Sequence, residues 1–340
     1  MRADTLTAGN NHPNLAAAAG WWLYEHAPAP VDSLLRFGRR HLAPLLHCRP
    51  DLRSYHLADA SSGQIVAAGD GMTLGFLLQR LGRMSAAAPC PAGLASLSAA
   101  LRRAAAEGDL VLAMVPRSIG RRIGRGFLRA PALVSLALEV KHDLEATLAQ
   151  ATTTVRRDAR RVVEMGVTWT VSHALSELDQ FYDHYYAPSV RQRFGELAVV
   201  RQRSMLRRQF RHGGALIWLE QSGRRIGGSV VQVRCGTLHG LVAAADPRLQ
   251  HEGRAGPQFA GKIASLVLAS RLGATRVDLG GTVPCLRDGV MQAKRAFGAS
   301  LCEFADNHRD LLLAWRPGAP AVRSCTRRRC CSAPVPASTR

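Results

Sequence analysis

Lys294 stands in the stretch VDLGGTVPCLRDGVMQAKRAFGAS, residues 277 to 300, and it is one of only three lysines in the chain. At about 100° per residue, Val290, Ala293, Lys294 and Phe297 share one helical face. That face should be apolar and packed, so an ammonium there asks for an explanation. It can hold a phosphate or stabilise the oxyanion of an acyl transfer. It can equally pair with Asp278, or snorkel past Phe297 to water. Asp278 points away from Val277 and Leu279 by strand alternation, close to the C-terminal end of its strand, where ligands bind in α/β sheets. His239 sits in another strand segment. A histidine there can take a proton from an amine, directly or through water, or simply be a half-exposed strand residue.

Two further groups carry binding chemistry. In DPRLQHEGRAGPQ (246–258), Gln250, Gly253, Ala255 and Gly256 form a loop of small residues ahead of Pro257. Proline suits a first helical turn because its missing N–H has no partner there in any case. Small residues let a backbone approach a ligand, and helix N-terminal N–H groups favour an anion such as a pyrophosphate. An ordinary glycine-rich turn fits the same letters. Upstream, Tyr182, Tyr185 and Tyr186 with Arg191 and Arg193 can line an acceptor pocket or fill a core.

These residues need elements to hold them. Residues 1–30 read as an irregular arm, and helical signals dominate from 31 to about 115. DLVLAMV (109–115) and ALVSLALEV (132–140) read as strands, joined by the basic glycine-rich connector 116–129. Gly124 and Gly126 there suggest a phosphate loop, but no helix-opening GxGxxG follows. Residues 143–166 read as a helix region ended by Gly166, with Arg156, Arg157, Arg160 and Arg161 opposite Val155, Ala159, Val162 and Val163. A strand (167–174), an aromatic-rich helix and a basic helix (201–211) come next. Three strands follow as a meander, with turns at Ser222-Gly223 and Cys235-Gly236. A helix (257–272), a strand to Gly281, the Lys294 helix and two closing strands complete a mixed-sheet α+β pattern. The tail 319–340 has no periodicity and reads as disordered.

The pattern QxxGxA at 250–255 matches the signature of the GNAT acyltransferases. RVDLGGTVPCLRDGVMQAKRAFGA, following GPQFAGKIASLVLASRLGA, resembles the C-terminal half of Fem-type and related GNAT-fold acyltransferases. TTTVRRDARRVVEMGVTWTV and LDQFYDHYYAPSVRQRFG are similar to the opening helix and strand, and to the acceptor-side segment, of that domain. The resemblance covers roughly 143 to 316. It implies a GNAT-like domain at 143–318 and a degenerate first copy at 31–142, as in tandem Fem proteins. It implies Lys294, Asp278 and His239 as catalytic, Gln250, Gly253, Ala255 and Gly256 as donor-binding, and Tyr182, Tyr186 and Arg193 as acceptor-binding residues. Acyl-CoA, acetyl-CoA among its forms, would be a co-substrate and an amine the acceptor. No coiled-coil arm accompanies the motifs.

Bulk properties frame these readings. A hydrophobic content of 47% supports a sizeable core, and a net charge of +20 is nearly all arginine. Such a surface favours anionic partners, nucleic acid, phosphorylated donors or acidic lipid, unless arginine merely serves as the common solvated residue. No run approaches the roughly 18 to 20 apolar residues that span a bilayer, and Asp4 spoils a signal-peptide start, so the expected location is cytoplasmic. Cysteines 48, 90, 235, 285, 302, 325, 330 and 331 form no CxxC pair, which points to reduced thiols and no metal site. The leading expectation is an acyl-CoA-dependent N-acyltransferase. Aminoacyl transfer from tRNA to a cell-envelope precursor and non-catalytic binding of RNA or anionic lipid, with peripheral membrane contact, stay open beside it.

Overall fold

In the computed structural model, the described residues are 51–57, 64–69, 74, 77–78, 84–86, 90–91, 94–123, 126–195, 198, 200–249, 256–286, 288–304 and 307–317. The arm 1–30, the tail 319–340, the helix expected at 31–46, and Gln250, Gly253 and Ala255 lie outside them.

The first part of the chain holds β1 (Asp51–Leu57), β2 (Gln64–Ala68), β3 (Met84–Ala86), β4 (Cys90–Pro91), α1 (Leu94–Glu107), β5 (Leu110–Pro116), α2 (Arg117–Ile123), β6 (Leu128–Pro131) and β7 (Val134–Glu139). Helical signals were expected to dominate to residue 115, yet β1 to β4 are strands. β2 shows why: its Ile65–Ala68 core run is too short for a helical period to show, and tertiary pairing decides it. The connector 116–129 likewise contains α2 and the start of β6.

The second part holds α3 (Leu144–Thr147), α4 (Thr153–Glu164), β8 (Thr168–Ser172) and α5 (Leu175–Phe181). A π-helical turn (Tyr182–Tyr186) joins α5 to α6 (Ala187–Phe194). Then come α7 (Arg203–Arg211), β9 (Gly214–Gln221), β10 (Arg224–Arg234), β11 (Thr237–Ala245), α8 (Pro257–Arg271), β12 (Arg276–Thr282), α9 (Gly289–Ala296), β13 (Ser300–Glu303) and β14 (Arg309–Trp315). The helix region expected over 143–166 holds two helices. Asp143 caps the first through the Ala146 N–H, and Thr152 caps the second through the Val155 N–H. The Thr152 N–H itself donates to the Ala296 carbonyl, which pins the break against α9.

Two mixed sheets result, with helices flanking them in an α+β architecture. One runs β3-β1-β2-β5-β14-β6, with β4 also on β1; the other runs β13-β7-β12-β11-β10-β9-β8. The order β1-β2-β5-β14-β6 recurs as β10-β11-β12-β7-β13, sense for sense: an antiparallel hairpin, a parallel pair bridged by a helix, and an antiparallel inserted strand. Each half therefore donates its last strand, β7 or β14, to the other half's sheet. A boundary at 142/143 does not divide the two sheets, because β7 buries Val134, Leu136 and Leu138 in the core of the second one.

Alternation along β9 divides that core. Ile217 and Leu219 meet α4 and α8 through Val155, Val162, Ile263 and Leu266. Leu216 and Trp218 meet α5 and α7 through Phe181, Leu206 and Phe210. Gly228 on β10 is a close approach on this second side: a Cβ there would sit 2.8 Å from the Ile217 carbonyl oxygen and 3.2 Å from the Phe181 ring. Gly228→Val should therefore cost about 1–3 kcal/mol or more through overpacking, read as a lowered melting temperature with α-helical content retained.

Candidate active site where β11 and β12 part

β11 and β12 pair in parallel only over Thr237–His239 and Arg276–Asp278, although β11 continues to Ala245 and β12 to Thr282. Local backbone explains the parting. Gly280 adopts φ +83°, a conformation that a side chain strains, and the β12–β7 register shifts between Asp278 and Gly281. On the other strand the β10–β11 register shifts so that Val231 faces Gly240 while Val230 faces Val242, leaving Leu241 as a bulge. His239 and Asp278 are the last paired residues, at the vertex of the gap.

Asp278 is held from three sides. The Ser135 hydroxyl of β7 and the Gly280 N–H (2.8 Å) donate to Oδ1, and His239 Nδ1 lies 3.3 Å from Oδ2. Burial pushes its pKa up, but the hydrogen bonds from His239, Ser135 and Gly280 outweigh burial and hold it below the ordinary value. An ionised carboxylate only accepts, so His239 donates from Nδ1 and keeps the Nε2 lone pair free. Such an arrangement can serve as a base oriented by a carboxylate.

Lys294 reaches the same place from α9. The Asp288 carboxylate caps this helix, accepting from the Met291 N–H (2.9 Å) and the Thr282 hydroxyl (3.0 Å). That cap sets the rotation of the helix. Met291, Lys294 and Phe297 point inward while Ala293 is exposed and Val290 half-buried, so the inward face is turned from the expected one. Lys294 Nζ donates to the Gly280 carbonyl (2.6 Å) and the Gly281 carbonyl (3.0 Å), not to Asp278. Burial, then the charge of Lys262, lowers its pKa to about 8, against the pull of Asp278 and Asp288.

The binding residues are distributed less simply. Of the donor loop, Gly256 is described: it is the N-cap of α8, its carbonyl accepting from the Phe259 (2.9 Å) and Ala260 (3.1 Å) N–H groups. Tyr182 and Tyr186 are not free to line a pocket by their hydroxyls. Tyr182 donates to the Arg201 carbonyl (2.8 Å), and the Arg201 N–H donates to Tyr186 (3.0 Å). Tyr186 is buried among Phe181, Phe210 and Trp218, so the pair locks the 201 backbone. Arg193 instead bonds Gln258 on the first turn of α8 at 3.1 Å, beside the donor loop. Sequence reasoning missed Ser135, Arg201 and Lys262. Ser135 is the polar residue within Val134–Leu138 of β7, but nothing in that run marks its register against Asp278. Arg201 bonds the bulged Leu241 carbonyl at 3.2 Å, which no spacing reveals.

No family model matches the sequence, and no curated protein matches it. Among solved structures, the chain is similar to FemX at 12% identity and TM-score 0.44, covering 78% of this chain and 84% of that one. It is similar to L-PGS from Bacillus licheniformis at 12% identity and TM-score 0.37, covering 82% and 85%. A GCN5-related N-acetyltransferase from Sphaerobacter thermophilus is similar at 14% identity and TM-score 0.33, covering 77% and 75%. These are likenesses of fold.

Proposed function

We propose that the chain is an N-acyltransferase that moves an acyl group from a CoA thioester to an amine. The observation that carries this reading is the Asp278–His239 pair at the vertex where β11 and β12 part. The amine nitrogen attacks the thioester carbonyl while His239 Nε2 accepts its proton. The tetrahedral intermediate collapses, the C–S bond breaks, and the thiolate leaves as CoA with a proton returned from the imidazolium. Asp278 holds the imidazole tautomer and stabilises the imidazolium. The Lys294 ammonium adds positive charge near the developing oxyanion. The donor's phosphates meet the 250–256 loop at the N-terminus of α8, where the helix dipole is positive.

A second donor, aminoacyl-tRNA, is favoured by one observation. Arg156, Arg157, Arg160 and Arg161 are all exposed on α4, and the Arg160 and Arg161 side chains make no hydrogen bond or ion pair among the described residues. Thiol release from acetyl-CoA and longer acyl-CoAs, measured against a panel of amines, tests the first reading. Amine-dependent release of free CoA is the expected result. Transfer of label from charged tRNA alone replaces the donor. No turnover with either donor, together with RNA binding that weakens by orders of magnitude between about 50 and 200 mM salt, overturns catalysis.

A further inference from the structure

We propose that Lys262, flanked by Arg193 and Lys294, binds an anionic group of a substrate, a phosphate or a carboxylate, on the α8 side of the gap. The inference rests on the gap being the substrate site. It does not depend on which reaction occurs there.

Lys262 lies in the N-terminal half of α8 and is half-buried, with Nζ 5.4 Å from the centre of the Phe297 ring. It makes no hydrogen bond and no ion pair among the described residues. Phe297 follows Lys294 at the end of α9 and also packs on Phe259, 5.2 Å between ring centres. Lys262 and Lys294 therefore flank one small aromatic wall. Arg193 approaches from α6, fixed to Gln258 one turn before Lys262. Three cations thus face the same region.

The carboxylates near them are already engaged. Asp278 accepts from Ser135, Gly280 and His239, and Asp288 from Met291 and Thr282. Burial and the Arg193 charge disfavour the charged form of Lys262, and the Lys262 charge in turn disfavours that of Lys294. Cations withdrawn from water and repelling one another persist when an anion compensates them. Lys294 already gives two of its three protons to carbonyls, whereas the Lys262 ammonium gives none to a described residue. The positive end of α8 adds to the attraction. A purely structural lysine, its stem laid on Phe297 and its ammonium in water, accounts for the packing but not for the convergence of three charges.

The chain's three lysines make the test direct. Reductive ¹³C-dimethylation keeps the charge and gives one signal each for Lys141, Lys262 and Lys294. Inorganic phosphate should shift the Lys262 and Lys294 signals and raise their titration midpoints. Lys141, paired with Glu139 at 2.7 Å, is the internal control. Lys262→Met should weaken phosphate binding, measured by calorimetry, about tenfold or more, and Lys262→Arg should restore it. CoA that competes with phosphate assigns the subsite to the donor; CoA that binds alongside it assigns it to the acceptor. Phosphate, acetate and CoA all leaving the Lys262 signal unmoved, or moving Lys141 equally, overturns the proposal. Binding retained by a protein without acyl transfer sinks the reaction but keeps the subsite.

Discussion

His239→Ala should lower acyl transfer by about 10²- to 10⁴-fold, the range for loss of a positioned general base, with little change in melting temperature. Two features support that separation. The His239 side chain is only partly covered, so truncation opens no sealed cavity. Asp278 keeps its bonds from Ser135 and Gly280, so it is not left without partners. Asp278→Asn tests the orienting role independently. An asparagine amide donating to Nδ1 forces the proton onto Nε2, where the ring can no longer accept one. Turnover should fall while thioester binding, measured by calorimetry, persists. A stable His239→Ala protein with full turnover would show that the imidazole only decorates the vertex.

His239 and Asp278 were each visible in the sequence, but their partnership was not. Strand alternation put the Asp278 side chain on a face and His239 was placed only in a strand, and nothing local specified that Thr237–His239 and Arg276–Asp278 would be the only paired stretch of β11 and β12. That depends on the bulge at Leu241 and on the backbone of Gly280, both tertiary features. Ser135 was harder still, because it arrives on β7, a strand donated from the other half of the chain; register between strands far apart in sequence leaves no short-range mark. The inward direction of Lys294 was legible, but the Asp288 cap turns the helix so that Met291, not Val290 and Ala293, shares its buried face. For the tyrosines, helical spacing allowed a pocket or a core; Tyr186 is buried in the core, with Tyr182 half-buried against it and both bonded to the Arg201 backbone.

Lys294→Met separates charge from packing, and pH makes the separation quantitative. The folded-state pKa of Lys294 is lowered from 10.5 to about 8. Between those values the unfolded chain binds more protons than the folded one, so stability should rise with pH across the window, and below about 8 the full penalty applies. A shift of that size corresponds to about 3 kcal/mol. Methionine removes it, but leaves the Gly280 and Gly281 carbonyls without their donor, at about 1–3 kcal/mol for an unsatisfied buried group. The melting temperature near neutrality should therefore change little, while the rise between pH 8 and 10.5 disappears. Turnover at neutral pH should fall by roughly 10²-fold, as when one oxyanion donor is removed. The wild-type rate should decline as pH rises through about 8 and the ammonium loses its charge, and that decline should be absent from the residual rate of Lys294→Met. A flattened stability profile with undiminished turnover would leave Lys294 a buried strut for the Gly280–Gly281 backbone and remove it from the chemistry.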